Sequence, residues 1–296
     1  MNTFTTAETD SCHLLIKLAL QEDLGAALFS TDADITSMAF VPEESEGVTT
    51  LVARQGGMLA GLPAAAMAFE RVDPTLKFES SIQDGAILKP GDRIATISGS
   101  MRSILVAERT ALNFLQHLSG IATLTNQFVQ AVSGLTSKIL DTRKTIPGWR
   151  PLAKYAVRQG GGHNHRMGLF DMILIKDNHW ATMREPRNLW PWVTKFKKQH
   201  PDISIEIEVE TPAQLDEALV AEPHIILLDN MAIDRLRDAV KRRNTLAPKV
   251  LLEASGGVTL QTVRAIAETG VDRISVGAIT HSAPALDIAL DYEHAG

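Results

Sequence analysis

Between residues 141 and 169 the chain reads DTRKTIPGWRPLAKYAVRQGGGHNHRMGL, which sets Arg143, Lys144, Arg150, Lys154, Arg158 and Arg166 against a single acid, Asp141. The chain as a whole carries a formal net charge of −6, so the sign reverses locally. Arginine forks match carboxylate and phosphate oxygens, and a glycine triplet lets backbone N–H groups come close to such a ligand. These types at this spacing indicate a site for a small molecule with several negative charges. Part of the run has a plainer explanation. Arg150, Lys154 and Arg158 recur every fourth residue, and for Lys154 and Arg158 the expectation is the solvated face of a helix. His163, His165 and His179 fall in no zinc-binding spacing.

Composition removes several function classes. With 45% hydrophobic and 22% charged residues over 296 positions, the chain has ordinary globular values. A pI near 5.9 argues against general binding to nucleic acid or to an anionic membrane, both of which need a basic face. The lone cysteine, Cys12, excludes an internal disulfide and a cysteine metal cluster, which fits a reducing compartment. The opening MNTFTTAETD lacks the basic region and apolar core of a signal peptide, so a cytoplasmic protein is expected.

The elements that must place the cations follow from hydrophobic period. Residues 12–23 carry Leu14, Leu15, Leu18 and Ala19 at the spacing of an amphipathic helix, which Gly25 would end. VTTLVARQGGMLAG predicts two short strands about Gly56 and Gly57, and residues 63–70 an alanine-rich helix opened by Pro63. Residues 76–100, with turn signals at Asp84-Gly85 and Pro90-Gly91, predict further strands. Residues 104–132 predict helix interrupted at Ser119-Gly120, with Leu105, Leu112, Leu115 and Leu118 as its buried stripe. On position alone Arg109, beside Glu108 in that helix, is a solvated charge.

Past Ser133 the texture changes. SKILDTRK, DMILIKDN, ISIEIEVE, HIILLDN, KVLLEAS and RISVGA are short apolar runs, most of which end in a polar or charged residue. Helical patterns such as TPAQLDEALVAE, IDRLRDAVKRRN and LQTVRAIAETG lie between most of them. That alternation predicts a parallel sheet covered by helices. In a β/α barrel the strand ends converge on one face, so residues 141–144, Lys176, Glu208, Asp229, Ser255 and Gly277 would ring one mouth. The region is too short for the ~250 residues of an eight-unit barrel, so an incomplete barrel follows, its edge covered by the N-terminal module or by another subunit. A doubly wound sheet would instead favour a glycine loop directly after its first strand, where this chain has Thr142-Arg143-Lys144.

ERTALNFLQHLSGIATLT, the 141–169 stretch, LIKDNH, EIEVE, LLDN, EASGG and GVDRISVGAITHS, in this order, closely resemble the quinolinate phosphoribosyltransferase family, also called carboxylating nicotinate-nucleotide pyrophosphorylases. The resemblance covers residues 10–290 and is densest over 108–179. Trp149 stands where many members have leucine, and His163 where small residues are usual. Neither departure touches a cationic position.

The resemblance implies a type II phosphoribosyltransferase fold. An N-terminal α+β module (1–118, joined by the tail 282–296) is followed by an incomplete six- to seven-stranded β/α barrel that carries catalysis (119–281). It implies a homodimer with shared active sites, or a higher oligomer, and no nucleic-acid or membrane partner. The reaction implied joins quinolinate to 5-phosphoribosyl-1-diphosphate with Mg²⁺, releasing diphosphate, CO₂ and nicotinate mononucleotide. By match to the family motifs, Arg109, Thr142, Arg143, His165, Arg166 and Lys176 are expected to contact quinolinate and phosphate, Arg109 from the other subunit. Lys144 with Mg²⁺ would stabilise the leaving diphosphate. Glu208 and Asp229 would hold Mg²⁺, directly or through water, or bond ribose hydroxyls, which makes Lys144, Lys176, Glu208 and Asp229 the catalytic set. Ser255, Gly256 and Gly257, with Val276, Gly277 and Ala278, would hold a phosphate through backbone N–H groups and a helix start. Two other readings compete: a barrel aldolase using Lys144 or Lys176 as a Schiff base, and a non-catalytic oxyanion-binding relative.

Overall fold

The computed structural model describes residues 4–25, 33–182 and 189–292. Residues 1–3 of the opening stretch and the last four of the tail lie outside the described residues. The chain forms two compact units, Met1–Asn126 with Thr145–Gly161 and Ile279–Gly296, and Gln127–Lys144 with Gly162–Ala278.

In the first unit a four-stranded antiparallel sheet has the spatial order Ile288–Tyr292, Glu46–Ala53, Arg93–Ser100 and Lys77–Glu79. The C-terminal strand thus pairs with the first strand of the chain, Leu51 opposite Leu290. The second glycine-flanked strand predicted from the sequence, Gly57–Met58, pairs separately with Ile87–Leu88. Helix Thr6–Leu24 opens on a capping box between Thr5 and Glu8 and ends at Gly25, whose φ of 67° suits glycine. Its buried face is Glu8, Cys12, Ile16, Leu20 and Leu24, while Leu14 and Leu18 are exposed. The expected face was therefore the wrong one: apolar residues stand on both sides of this helix, and packing selects the i, i+4 row that begins at Glu8 and Cys12.

Three further expectations are corrected in this unit. Helix Met101–Ala131 runs unbroken through Ser119 and Gly120. Ser119 Oγ bonds the Ala60 backbone, accepting its N–H and donating to its carbonyl, both at 3.0 Å. A Cβ on Gly120 would run into the Pro284 carbonyl oxygen. Small residues here serve close approach instead of a break. Gly120→Ala is accordingly expected to lower stability by ~1–3 kcal/mol, read as a shift of the urea midpoint at unchanged slope. Leu112, Leu115 and Leu118 are buried as the stripe predicts, but Leu105 is exposed. Lys154, read as a solvated helix charge, is fully buried in helix Arg150–Gln159, whereas Arg158 is exposed and pairs with Glu8 at 2.5 Å. Trp149 stacks on Phe114 with centroids 4.8 Å apart.

The second unit is a six-stranded parallel sheet: Lys138–Leu140, Met172–Ile175, Ser204–Val209, Ile225–Asp229, Leu251–Ser255 and Arg273–Ser275. These are the six runs read from the sequence. The second to sixth strands follow one another across the sheet in chain order, and the first lies beside the sixth. A doubly wound sheet reverses direction at its middle, so this order is that of a barrel opened between its first two strands. His163 forms a parallel bridge to Leu140 on the first strand. Three residues later Arg166 Nη1 donates to the Met172 carbonyl, where the second strand begins, at 3.2 Å. Residues 163–166 therefore cross the opening.

Alternation along the strands sorts the side chains into two faces. Ile139, Ile205, Ile207, Val209, Ile226, Leu228, Leu252, Ala254 and Ile274 are all buried and form one apolar set. The other face carries chemistry. Glu208, Leu227, Glu253 and Arg273 stand at one level of the register, with Asp229 and Ser255 paired above them.

Candidate active site

The strand ends of the second unit enclose a cavity of about 390 Å³, within the range of small-molecule sites. It is lined by Thr142, Arg143 and Lys144 after the first strand, and by Lys176 and Glu208 after the second and at the end of the third. Asp229, Asn230, Ser255, Gly256, Gly257 and Ser275 continue the rim, and His165 and Arg166 enter from the segment that crosses the opening. Leu174 and Leu227 complete the lining.

Local structure explains each placement. Thr142 Oγ1 accepts the Lys144 N–H at 3.0 Å, a turn that brings both cations after the first strand to the rim. Asp141 is fully buried below them and accepts Asn164 Nδ2 at 2.6 Å and the His165 N–H at 2.8 Å. It is an anchor for residues 163–166 instead of a member of the ring. Lys176 lies between the second strand and helix Asp177–Thr182, and its Nζ lies 2.6 Å from Glu208 Oε2. Trp180 Nε1 donates to the Glu208 carbonyl at 3.2 Å, fixing the backbone of that glutamate. Asn230, with φ of 51°, donates to Asp229 Oδ2 at 2.7 Å, and its N–H bonds the Ser255 carbonyl at 2.8 Å. The Asp229 and Ser255 loops thereby interlock. Gly256, with φ of 96°, is required there, because a Cβ would strike Asn230.

The field of the cavity is positive: Arg143, Lys144, Arg166 and Lys176 face Glu208 and Asp229, with His165 among them. Burial, and then the nearby Arg143 guanidinium, pull the Arg166 pKa below its ordinary value. Two guanidiniums held close enough to disfavour one another's charge are relieved when an anion sits between them. His165 Nε2 lies 2.9 Å from Glu206 Oε2 and 3.3 Å from Glu253 Oε1. Burial opposes protonation of His165, but the hydrogen bonds and charges of these glutamates outweigh it and push the imidazole up to about 9. Its Nδ1 accepts the Arg166 N–H at 2.7 Å, which requires a lone pair there. The Nε2 proton, held toward the carboxylates, is the constant feature of the ring in either state. Burial and Glu253 raise Glu206, while His165, Arg273 and Ser275 overcome the burial of Glu253 and lower it.

Of the residues singled out from sequence, Thr142, Arg143, Lys144, His165, Arg166, Lys176, Glu208, Asp229, Ser255, Gly256 and Gly257 line one cavity. Val276, Gly277 and Ala278 are not among its lining residues, and Val276 is buried. Arg109 is an exposed residue of helix Met101–Ala131 in the first unit. Of the two loops expected to carry a helix start, the second runs directly into helix Ala278–His281, whereas after Ser255–Gly257 the next helix begins only at Val263. Ser275 and Asn230 were missed. Ser275 shares strand parity with Arg273 and closes its strand as Ser255 does, a signal present in the sequence.

Comparison with known proteins agrees with this arrangement. The N-terminal domain model of quinolinate phosphoribosyl transferase matches residues 34–119, and its C-terminal domain model residues 121–291. A carboxylating nicotinate-nucleotide pyrophosphorylase of Mycobacterium leprae is 43% identical over 286 residues, covering 96% of this chain and 98% of its own. A chloroplastic counterpart from Arabidopsis thaliana is 42% identical, covering 93% of this chain and 81% of its own. The solved nicotinate-nucleotide pyrophosphorylase of Francisella tularensis superposes with a TM-score of 0.88 at 37% identity, covering 98% of this chain and all of that one. Two family models spanning nearly the whole chain, a six-stranded incomplete barrel and a cationic cavity at its strand ends converge on one assignment: the chain belongs to the quinolinate phosphoribosyl transferase family.

Proposed function

We propose that the chain joins quinolinate to 5-phosphoribosyl-1-diphosphate, losing CO₂ and diphosphate and giving nicotinate mononucleotide for de novo NAD synthesis. The observation that carries this reading is the convergence of Arg143, Lys144, His165, Arg166 and Lys176 on one cavity in a chain of net charge −6. A dicarboxylate and a substrate bearing a monophosphate and a diphosphate demand such a field.

Arg143 and Arg166, with His165, grip the carboxylates and fix the plane of the pyridine ring. The attacking atom is the ring nitrogen, so orientation replaces a protein nucleophile. Lys144 faces the leaving diphosphate, and the backbone of Ser255, Gly256 and Gly257 cradles a phosphate. Lys176 divides its charge between Glu208 and the bound anions. A Schiff-base role would need that amine free to attack a carbonyl, and it is engaged by Glu208 Oε2 at 2.6 Å. Once the ring nitrogen carries the ribose it is positive, and loss of the adjacent carboxylate leaves a carbanion stabilised beside it.

Mg²⁺ fits the donors present. Glu208 and Asp229 offer hard carboxylate oxygens at the ends of neighbouring strands, the set that Mg²⁺ completes with substrate phosphates and water. Because Lys176 occupies Glu208 Oε2, Asp229 and the other Glu208 oxygen would hold the ion, directly or through water. When bound, Mg²⁺ supplies charge neutralisation for the departing diphosphate. Assembly as a homodimer in which Arg109 reaches a partner's cavity, cytoplasmic residence, and the 1–118 and 119–281 domain division belong to the same proposal. No described helix is long and apolar enough to cross a membrane.

Diphosphate release from 5-phosphoribosyl-1-diphosphate is expected to require both quinolinate and Mg²⁺, to stop on addition of excess EDTA and to return with added Mg²⁺. Release that survives chelation removes the metal from this account. Binding of both substrates without release replaces the enzyme with an oxyanion-binding protein.

A further inference from the structure

Below the cavity, two glutamates lie side by side with no exposed surface: Glu206 and Glu253, on the third and fifth strands of the sheet. Neither lines the cavity. Burying two carboxylates together is costly, and apolar residues would fill the space at least as well if stability were the whole purpose. Their partners indicate another purpose. Glu253 accepts from Arg273 Nε at 2.6 Å, from Ser275 Oγ, and faces His165 Nε2 at 3.3 Å. Two of these three partners, His165 and Ser275, line the cavity. Glu206 Oε2 lies 2.9 Å from the same His165 nitrogen, so both glutamates bear on one edge of the ring.

From the imidazole the constraint passes outward. His165 Nδ1 receives the Arg166 N–H at 2.7 Å, and Asp141 holds the His165 N–H and the Asn164 side chain. The segment that presents His165 and Arg166 to the cavity is thus held from below by three buried carboxylates. The donor atoms of His165, Glu206 and Glu253 lie within 4.8 Å of one another, the arrangement of a cation site. Arg273 already supplies positive charge at that point.

Resting on the quinolinate reading, we propose that Glu253, assisted by Glu206, is a positioning residue for the dicarboxylate grip, acting through His165 and Ser275. A merely structural glutamate would leave both Michaelis constants alone. A positioning one selectively weakens the substrate that the His165–Arg166 segment holds.

The test is steady-state kinetics of the full-length Glu253→Gln variant with each substrate varied in turn. The KM for quinolinate is expected to rise roughly 10- to 100-fold, the usual scale for removing a group that orients a binding residue, while that for 5-phosphoribosyl-1-diphosphate moves less than about threefold. Glu253→Asp, which keeps the charge, should recover most of the loss. Glu206→Gln should move the same constant in the same direction, and it carries the test if Glu253→Gln does not fold. An unchanged quinolinate KM in an active variant, or an equal rise in both constants, overturns the proposal while leaving the function intact. Absence of turnover in the wild-type protein overturns the function, and this proposal with it.

Discussion

Replacing Arg166 with alanine is expected to lower kcat/KM for quinolinate by about 10³-fold, nearly all of it through KM. The guanidinium is half-buried, donates to the Met172 carbonyl, and sits close enough to Arg143 for the two charges to disfavour one another. An incoming dicarboxylate removes that repulsion and gains paired hydrogen bonds. Without Arg166 one carboxylate enters a partly dry cavity with a single guanidinium to meet it. Losing one partner of a desolvated charge pair costs roughly 2–5 kcal/mol, which spans the stated factor. Arg166→Lys keeps charge but not the planar fork, so it should restore only part of the affinity. Initial rates with quinolinate varied decide the matter: a loss below about tenfold would place the dicarboxylate elsewhere.

Lys144→Ala is expected to behave differently, lowering kcat by about 10²–10³-fold while both Michaelis constants stay within about threefold. Lys144 is exposed at the rim, and its backbone is tied by the Thr142 hydroxyl. In the ground state its ammonium faces a well-solvated diphosphate and contributes little. As the bond to the ribosyl carbon breaks, charge accumulates on the departing oxygens, and a cation fixed nearby is worth most then. Kinetics over a matrix of both substrates measure the split. A rise in KM for 5-phosphoribosyl-1-diphosphate at unchanged kcat would make Lys144 a binding residue with no part in the chemical step.

How much of this was legible before the structure depends on whether the signal was local. The six parallel strands were, because short apolar runs closed by a polar or charged residue and separated by helical patterns leave few alternatives, and Glu208, Asp229 and Ser255 came with them as strand ends. The alternation in ISIEIEVE already placed Glu206 on the face of Glu208, and Glu253 shares parity with Ser255. Their meeting with His165, 41 and 88 residues away, depends on which strands neighbour one another and on a segment that crosses the barrel opening. No local pattern encodes that.

The failures have the same origin. Lys154 repeats with Arg150 and Arg158 as a wet helix face would, yet tertiary packing buries it. Helix Thr6–Leu24 has apolar residues on two sides, and only its neighbours select one. Ser119 and Gly120 look like a helix break because small residues mark both breaks and close contacts, and here Pro284 supplies the contact.

The fate of the 2-carboxylate reads out the decarboxylating transfer directly. Purified protein given quinolinate carrying a labelled 2-carboxylate, 5-phosphoribosyl-1-diphosphate and Mg²⁺ should yield labelled CO₂ and nicotinate mononucleotide in equal amounts. Nicotinate in place of quinolinate should yield neither, because its single carboxylate leaves part of the cationic grip unmatched. Nicotinate mononucleotide formed as readily from nicotinate, or CO₂ released without it, would contradict the account.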